Sequence, residues 1–243
     1  MPSDSPNPAL EIENLRFRYT RSADAAPWVV DVRALRLARA EHLLLRGGSG
    51  TGKSTLLQLI AGLLDPVEGR VRIDGDDLHA RHGAARDRLR GTKIGFVFQT
   101  FNLLHGFTAI ENVMAAMMFS SVPRAEHRAR ADELLRTLGI ERPHASIDRL
   151  SVGQQQRVAV ARAVACDPVL VLADEPTASL DPENAAIAMG LIQETCRARG
   201  AALLCVSHDP SLTSRFARTE SLASLRSDPS AQAPPASGDR QWR

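Results

Sequence analysis

Residues 47–55 read GGSGTGKST, and no other stretch of the 243-residue chain constrains the fold as tightly. They follow the apolar run LLL at 43–45 and open a helical pattern running from about Lys53 to Leu64. The spacing G-x-x-x-x-G-K-[ST] therefore lies between a strand and a helix, the context in which it binds phosphate. The stretch is Gly47, Gly48, Ser49, Gly50, Thr51, Gly52, Lys53, Ser54 and Thr55. Glycines let a backbone bend around an anion so that successive N–H groups point inward. The helix N-terminus adds partial positive charge. Lys53 is placed to reach β- and γ-phosphates, and Ser54 to ligate Mg²⁺. Of 30 basic residues only Lys53 and Lys93 are lysine. An otherwise arginine-using chain keeps lysine here because a compact ammonium fits where a planar fork does not.

The rest of the chain alternates strand and helix signals. Period-two patterns mark LEIENLRFRY at 10–19, VVDVRALRL at 29–37 and GRVRIDG at 69–75, and IGFVF at 94–98 reads as a buried strand. Between about 100 and 166 only helical stretches appear, near 109–119, 124–138 and 153–166. Then VLVLA at 169–173, a helix at 183–199 and AALLCV at 201–206 resume the alternation. The expected fold is α/β: a mostly parallel sheet covered on both faces, with an antiparallel N-terminal part and an inserted α-helical subdomain. The expected domain spans 9–226, between tails at 1–8 and 227–243 whose Pro, Ser, Ala and Gly content predicts disorder.

Bulk properties exclude several classes. No run approaches the ~18 apolar residues of a membrane span. MPSDSPNPAL lacks the basic start and apolar centre of a secretory leader. Membrane attachment is thus expected only through a partner. A net charge of +2 gives no ground for a nucleic-acid partner. Cys166, Cys196 and Cys205 share no metal-ligand spacing and are expected as reduced thiols.

Further chemistry sits at expected strand ends. In VLVLADEP at 169–176, Asp174 is positioned to hold Mg²⁺ and Glu175 to polarise an attacking water as general base. Gln99 ends IGFVF, and His208 follows AALLCV in SHDP. Both sit where ligands bind in open α/β sheets, and they read as γ-phosphate sensors.

The order of the phosphate loop, Gln99, LSVGQQQR at 150–157, ADEPTASLD at 173–181 and SHD at 207–209 resembles the nucleotide-binding domain of ATP-binding cassette (ABC) proteins, over roughly residues 10–210. The resemblance implies a P-loop NTPase of the ABC cassette type that binds ATP and Mg²⁺ between two subunits arranged head to tail. The second subunit would be another copy of the chain or a paralogous cassette. It implies that Ser151 and the N–H of Gly153 cap the γ-phosphate held by the partner, which needs donors and no base. It further implies that Gln154 lines the seam, Asp181 crosses it and Tyr19 stacks on adenine. Gln99 would ligate Mg²⁺ and report to a transmembrane permease.

The wording of IGFVFQTFNLLHGFTAIENV and LADEPTASLD is similar to the lipoprotein-release and macrolide-export branch of the family. That implies an ATPase subunit peripheral to the cytoplasmic face of the inner membrane, energising a permease with few membrane helices. The helical insertion, with the apolar FNLLHGF at 101–107, is the expected docking surface. Two departures stand out: Val152 replaces the usual signature glycine, and TESLASLRSDPS is expected to lack the usual terminal strand and its DG turn. Other readings are a soluble non-transport cassette ATPase or a regulatory nucleotide-binding module. A DNA-repair cassette requires a long coiled-coil insertion and a ribosomal one two tandem cassettes, for which 243 residues leave no room. Glu175 and His208 argue against a module without turnover.

Overall fold

The computed structural model describes residues 7–19, 27–178 and 180–226. Apart from Asn7 and Pro8, the tails expected to be disordered lie outside the described residues. In chain order the elements are β1 (Leu10–Phe17), β2 (Val30–Leu37), β3 (His42–Arg46), α1 (Lys53–Ile60), β4 (Glu68–Ile73), β5 (Asp76–Asp77), α2 (Gly83–Lys93) and β6 (Ile94–Val97). They continue with α3 (Ala109–Met117), α4 (His127–Thr137), α5 (Val152–Val164), β7 (Leu170–Asp174), α6 (Pro182–Ala198), β8 (Ala202–Ser207) and β9 (Arg218–Ser221). An antiparallel sheet has the order β2-β1-β4-β5, and a second, entirely parallel sheet the order β6-β7-β8-β3-β9.

The parallel sheet divides two cores. Along β3, β7 and β8, Leu43, Leu45, Leu170, Leu172, Ala202, Leu204 and Val206 face a core shared with α1 and the antiparallel sheet. The intervening Leu44, Val171, Ala173, Leu203 and Cys205 face a core built with the helical insertion and α6. Strand side chains alternate between faces, and both faces here are covered, so these strands read as unbroken apolar runs.

The insertion of α3, α4 and α5 packs on the second core as expected. At the start of α3, the Thr108 N–H donates to Glu111 at 2.8 Å and Thr108 Oγ1 accepts the Glu111 N–H at 3.4 Å. This reciprocal cap satisfies two otherwise orphaned donors. Asn112, fully buried, accepts the Leu104 N–H at 2.7 Å and donates to the Leu104 carbonyl at 3.2 Å, pinning the preceding loop. Leu103 thereby tucks into the core, while Leu104 and Phe107 stay exposed.

α5 lies against β6 at very close range. A Cβ on Gly95 would stand 2.1 Å from the Ala163 carbonyl oxygen, which is backbone and cannot swing aside. Gly95→Ala should therefore push α5 off β6 and destabilise the fold by about 1–3 kcal/mol, the usual range for overpacking. A lowered urea midpoint with unchanged slope is the expected readout, and an unchanged midpoint would contradict the close approach.

Two elements differ from expectation. α2 was not anticipated, because it buries no residue and carries no apolar stripe. It is fastened instead by Arg86 to Asp65 at 2.8 Å and by packing on β6. The missing terminal strand is a correction: β9 pairs in parallel with β3 from Leu43↔Arg218 to Arg46↔Ser221. Its sequence, RTES, has no apolar run because it is a short, partly exposed edge strand.

Candidate nucleotide site

The C-terminal ends of β6, β7, β8 and β3, neighbours in that order, meet at one cavity of about 590 Å³. Its walls include Tyr19, Ser49, Gly50, Gly52, Lys53, Ser54, Thr55, Gln99, Glu175 and His208, together with Val29. Ten residues singled out from sequence thus stand around one space. Asp174 is tied to it through a 3.0 Å hydrogen bond from Ser54 Oγ.

The glycine loop turns between β3 and α1. Gly52 has φ +95°, and a Cβ there would fall 2.4 Å from the Val29 carbonyl oxygen. Only glycine meets both demands, because L-residues are strained at positive φ. Lys53, almost fully buried, donates from Nζ to the carbonyls of Gly47 and Gly48 at 2.8 and 2.9 Å. Its ammonium lies 3.5 Å from Glu175 Oε1. The loop's own carbonyls and a carboxylate thus hold the cation in place inside the cradle.

Glu175 leaves β7 at φ +45°, an uncommon conformation for a non-glycine residue. Its N–H donates to the Val206 carbonyl at 3.0 Å. Oε1 also lies 2.9 Å from His208 Nδ1. Oε2 accepts from Ser207 Oγ at 3.1 Å and from the His208 N–H at 3.3 Å. A strained residue with both oxygens engaged has its carboxylate direction fixed from several sides, as functional sites often do. Ser207 was not among the residues singled out, although its place directly before His208 in SHD was the available signal.

Burial pushes the Asp174 carboxyl above the ordinary carboxylate range. The hydrogen bond from Ser54 opposes this, Glu175 adds to it and Lys53 opposes it again. A Ser54 hydroxyl, an Asp174 carboxylate and the Gln99 amide offer oxygen donors, the set that suits a hard divalent cation such as Mg²⁺.

Tyr19 lies just beyond β1, with its ring exposed and edge-on to Phe17 at 5.0 Å between centroids. Its hydroxyl is 3.1 Å from Thr55 Oγ1, which anchors the ring beside the phosphate loop.

Gly47, Gly48 and Thr51 complete the loop without lining the cavity, Thr51 Oγ1 donating to the Gly48 carbonyl at 2.9 Å. The residues expected at the dimer seam stand apart from it. Ser151, Gly153, Gln154 and Asp181 do not line this cavity. Ser151 caps α5: its Oγ accepts the Gln154 N–H at 3.3 Å, while Gln154 Oε1 accepts the Ser151 N–H at 3.0 Å. The side-chain oxygen of Gln154 is therefore occupied within its own chain. Asp181 caps α6, accepting from the N–H groups of Glu183 and Asn184 at 3.2 and 3.1 Å.

A glycine loop between a central parallel strand and a helix, with two carboxylates ending the strand two places away, defines a P-loop nucleotide-hydrolysing domain. Residues 31–178 match the family described as ABC transporter. The lipoprotein-releasing system ATP-binding protein LolD of Anaeromyxobacter dehalogenans is 45% identical over 222 residues, covering 90% of this chain and 92% of its own length. LolD 1 of Rhodopseudomonas palustris is 44% identical, covering 86% and 93% respectively. The ATP-binding cassette MJ0796, solved as a post-hydrolysis dimer bound to ADP and Pi, superposes with a TM-score of 0.75 at 33% identity, covering 87% and 93%. The chain belongs to the ABC transporter family, as an ATP-binding and ATP-hydrolysing subunit. No helix among the described residues is long and apolar enough to cross a membrane.

Proposed function

We propose that two such cassettes close head to tail on two ATP molecules and drive a permease that releases lipoproteins from a membrane. The partner is a second copy of the chain or a paralogous cassette. The observation that carries the dimer is Gly153. Its φ is not positive, and among the described residues no atom outside its own helix lies within 4 Å of a Cβ built on it. Nothing among the described residues requires glycine there, whereas a nucleotide approaching from a second chain does. The exposed helix N-terminus at Ser151 fits the same reading, since it presents N–H donors to a phosphate. The dimeric form of the ADP-bound neighbour supports it.

Within each cavity, loop N–H groups and Lys53 hold the β- and γ-phosphates, and Tyr19 stacks on the base. Lys53 moves its donors from the Gly47 and Gly48 carbonyls to phosphate oxygens. Ser54, Asp174 and Gln99 would hold Mg²⁺, which when bound neutralises phosphate charge. Glu175 takes a proton from the attacking water, and His208, anchored on Glu175, contacts the γ-phosphate. Asp181 reaches the seam from the head of α6.

The cargo class is that of the two LolD relatives, which are lipoprotein-releasing system ATP-binding proteins similar over most of the chain. The permease reads the cargo, and this subunit sits peripherally on the cytoplasmic face of the inner membrane. The exposed Leu104 and Phe107 belong to the docking surface. Reconstituted with its permease in proteoliposomes, the protein should release lipoprotein only with Mg²⁺-ATP. Lys53→Ala should weaken ATP binding by about 10- to 100-fold, from loss of charged hydrogen bonds. ATP-dependent export of another cargo, with no lipoprotein release, would overturn the cargo assignment alone; unweakened ATP binding by Lys53→Ala would overturn the role of the loop.

A further inference from the structure

Arg162 has no part in the site as described, yet it spends its hydrogen bonds on the segment that follows Gln99. It projects from α5, and its two terminal nitrogens donate to the carbonyls of Phe101 and Asn102, each at 2.6 Å. Those residues have φ of +58° and +47°, so two successive non-glycine residues are held in the left-handed region. Such backbone persists only where its surroundings over-determine it. The guanidinium also stands 5.9 Å from the centroid of the Phe98 ring, on the other side of Gln99.

Among the described residues no carboxylate pairs with this cation to account for its position. Burial depresses its pKa, and no counter-charge among the described residues offsets this. Arginine keeps its proton regardless. A half-buried charge whose hydrogen-bond partners are two strained carbonyls is placed to hold those carbonyls. Its planar fork can serve both at once, which a lysine ammonium on a single stem does poorly.

We infer that Arg162 is a positioning residue that clamps the 99–102 loop to α5, so that Gln99 and the Ser151 end of the same helix move as one body. Eleven residues separate Ser151 from Arg162 along α5, roughly 16 Å at the helical rise. The inference rests on the proposed role of Gln99 and adds the side chain that holds it in place.

Two measurements on the full chain test the clamp. Hydrogen exchange on the nucleotide-free protein should show amides of residues 99–102 exchanging several-fold faster in Arg162→Lys and in Arg162→Gln. The amides of α1 should be unchanged, which also verifies that the variants fold. ATPase rates across Mg²⁺ concentrations should then be compared for Arg162→Lys, Gln99→Ala and the double variant. If Arg162 acts through Gln99, Arg162→Lys should raise the Mg²⁺ needed for half-maximal rate several-fold, and the double variant should match Gln99→Ala alone. Multiplying effects, or unchanged exchange at 99–102, would overturn the clamp while leaving the role of Gln99 standing. Wild-type Mg²⁺ dependence in Gln99→Ala would overturn both.

Discussion

Glu175→Gln should leave ATP binding intact and cut turnover by about 10²-fold or more, the range for a lost general base. The substitution keeps the side chain's shape and one acceptor oxygen. That oxygen can still receive the Ser207 hydroxyl and the His208 N–H, which both point at Oε2. What disappears is the charge, and with it the ability to take a proton from water. The Glu175 carboxylate lies 3.5 Å from Lys53 and 2.9 Å from His208 Nδ1 in the resting arrangement. An amide releases Lys53 from its ion pair, so nucleotide affinity should hold or rise. Equilibrium binding of ATP and steady-state phosphate release separate the two effects. Near wild-type turnover would remove Glu175 from the role of base. Lowered affinity in step with rate would make it a binding group instead.

Elements governed by one dominant physical signal are legible in the sequence. β3, β7 and β8 were legible because strands buried on both faces become apolar runs. The phosphate loop was legible because glycine spacing, strand and helix coincide in one place. α2 was invisible because its stability comes from Arg86, Arg90 and contact with β6, none of which leaves a periodic apolar trace. β9 was invisible because a four-residue edge strand borrows its order from β3. Arg162 is one of 28 arginines in the chain, and nothing in ARAV distinguishes it. Its meaning depends on two carbonyls sixty residues away, a relation only the fold creates. The signature was legible as a motif, and its place outside the chain's own cavity agrees with the expectation that it faces a nucleotide held by a second cassette.

Gly153→Asp should abolish ATP-driven dimerisation, whereas Val152→Gly should change the ATPase rate only a few-fold. Val152 is the first residue of α5, its φ is not positive, and its side chain is 56% exposed. The β-branch is therefore tolerated where it stands, and the backbone N–H that a phosphate would use is unchanged. Valine forbids only the left-handed region, which this position does not visit. Replacing it with glycine removes an exposed branch and adds backbone freedom at a helix start, both modest effects. Gly153 is the opposite case. A Cβ there meets nothing among the described residues outside its own helix, and a carboxylate in the first turn is favoured by the helix dipole. The isolated monomer should consequently melt no lower than wild type. Against a bound triphosphate the same carboxylate adds like charge at close range, which costs several kcal/mol across an interface. That weakens association by about 10²-fold or more. Light scattering in the Glu175→Gln background with ATP reads the dimer, and thermal melting reads the monomer. A Gly153→Asp protein that still dimerises with ATP would move the nucleotide away from α5. A silent wild-type protein switched on by orders of magnitude through Val152→Gly would instead make this signature a degenerate site, active only beside a paralogous cassette with an intact one.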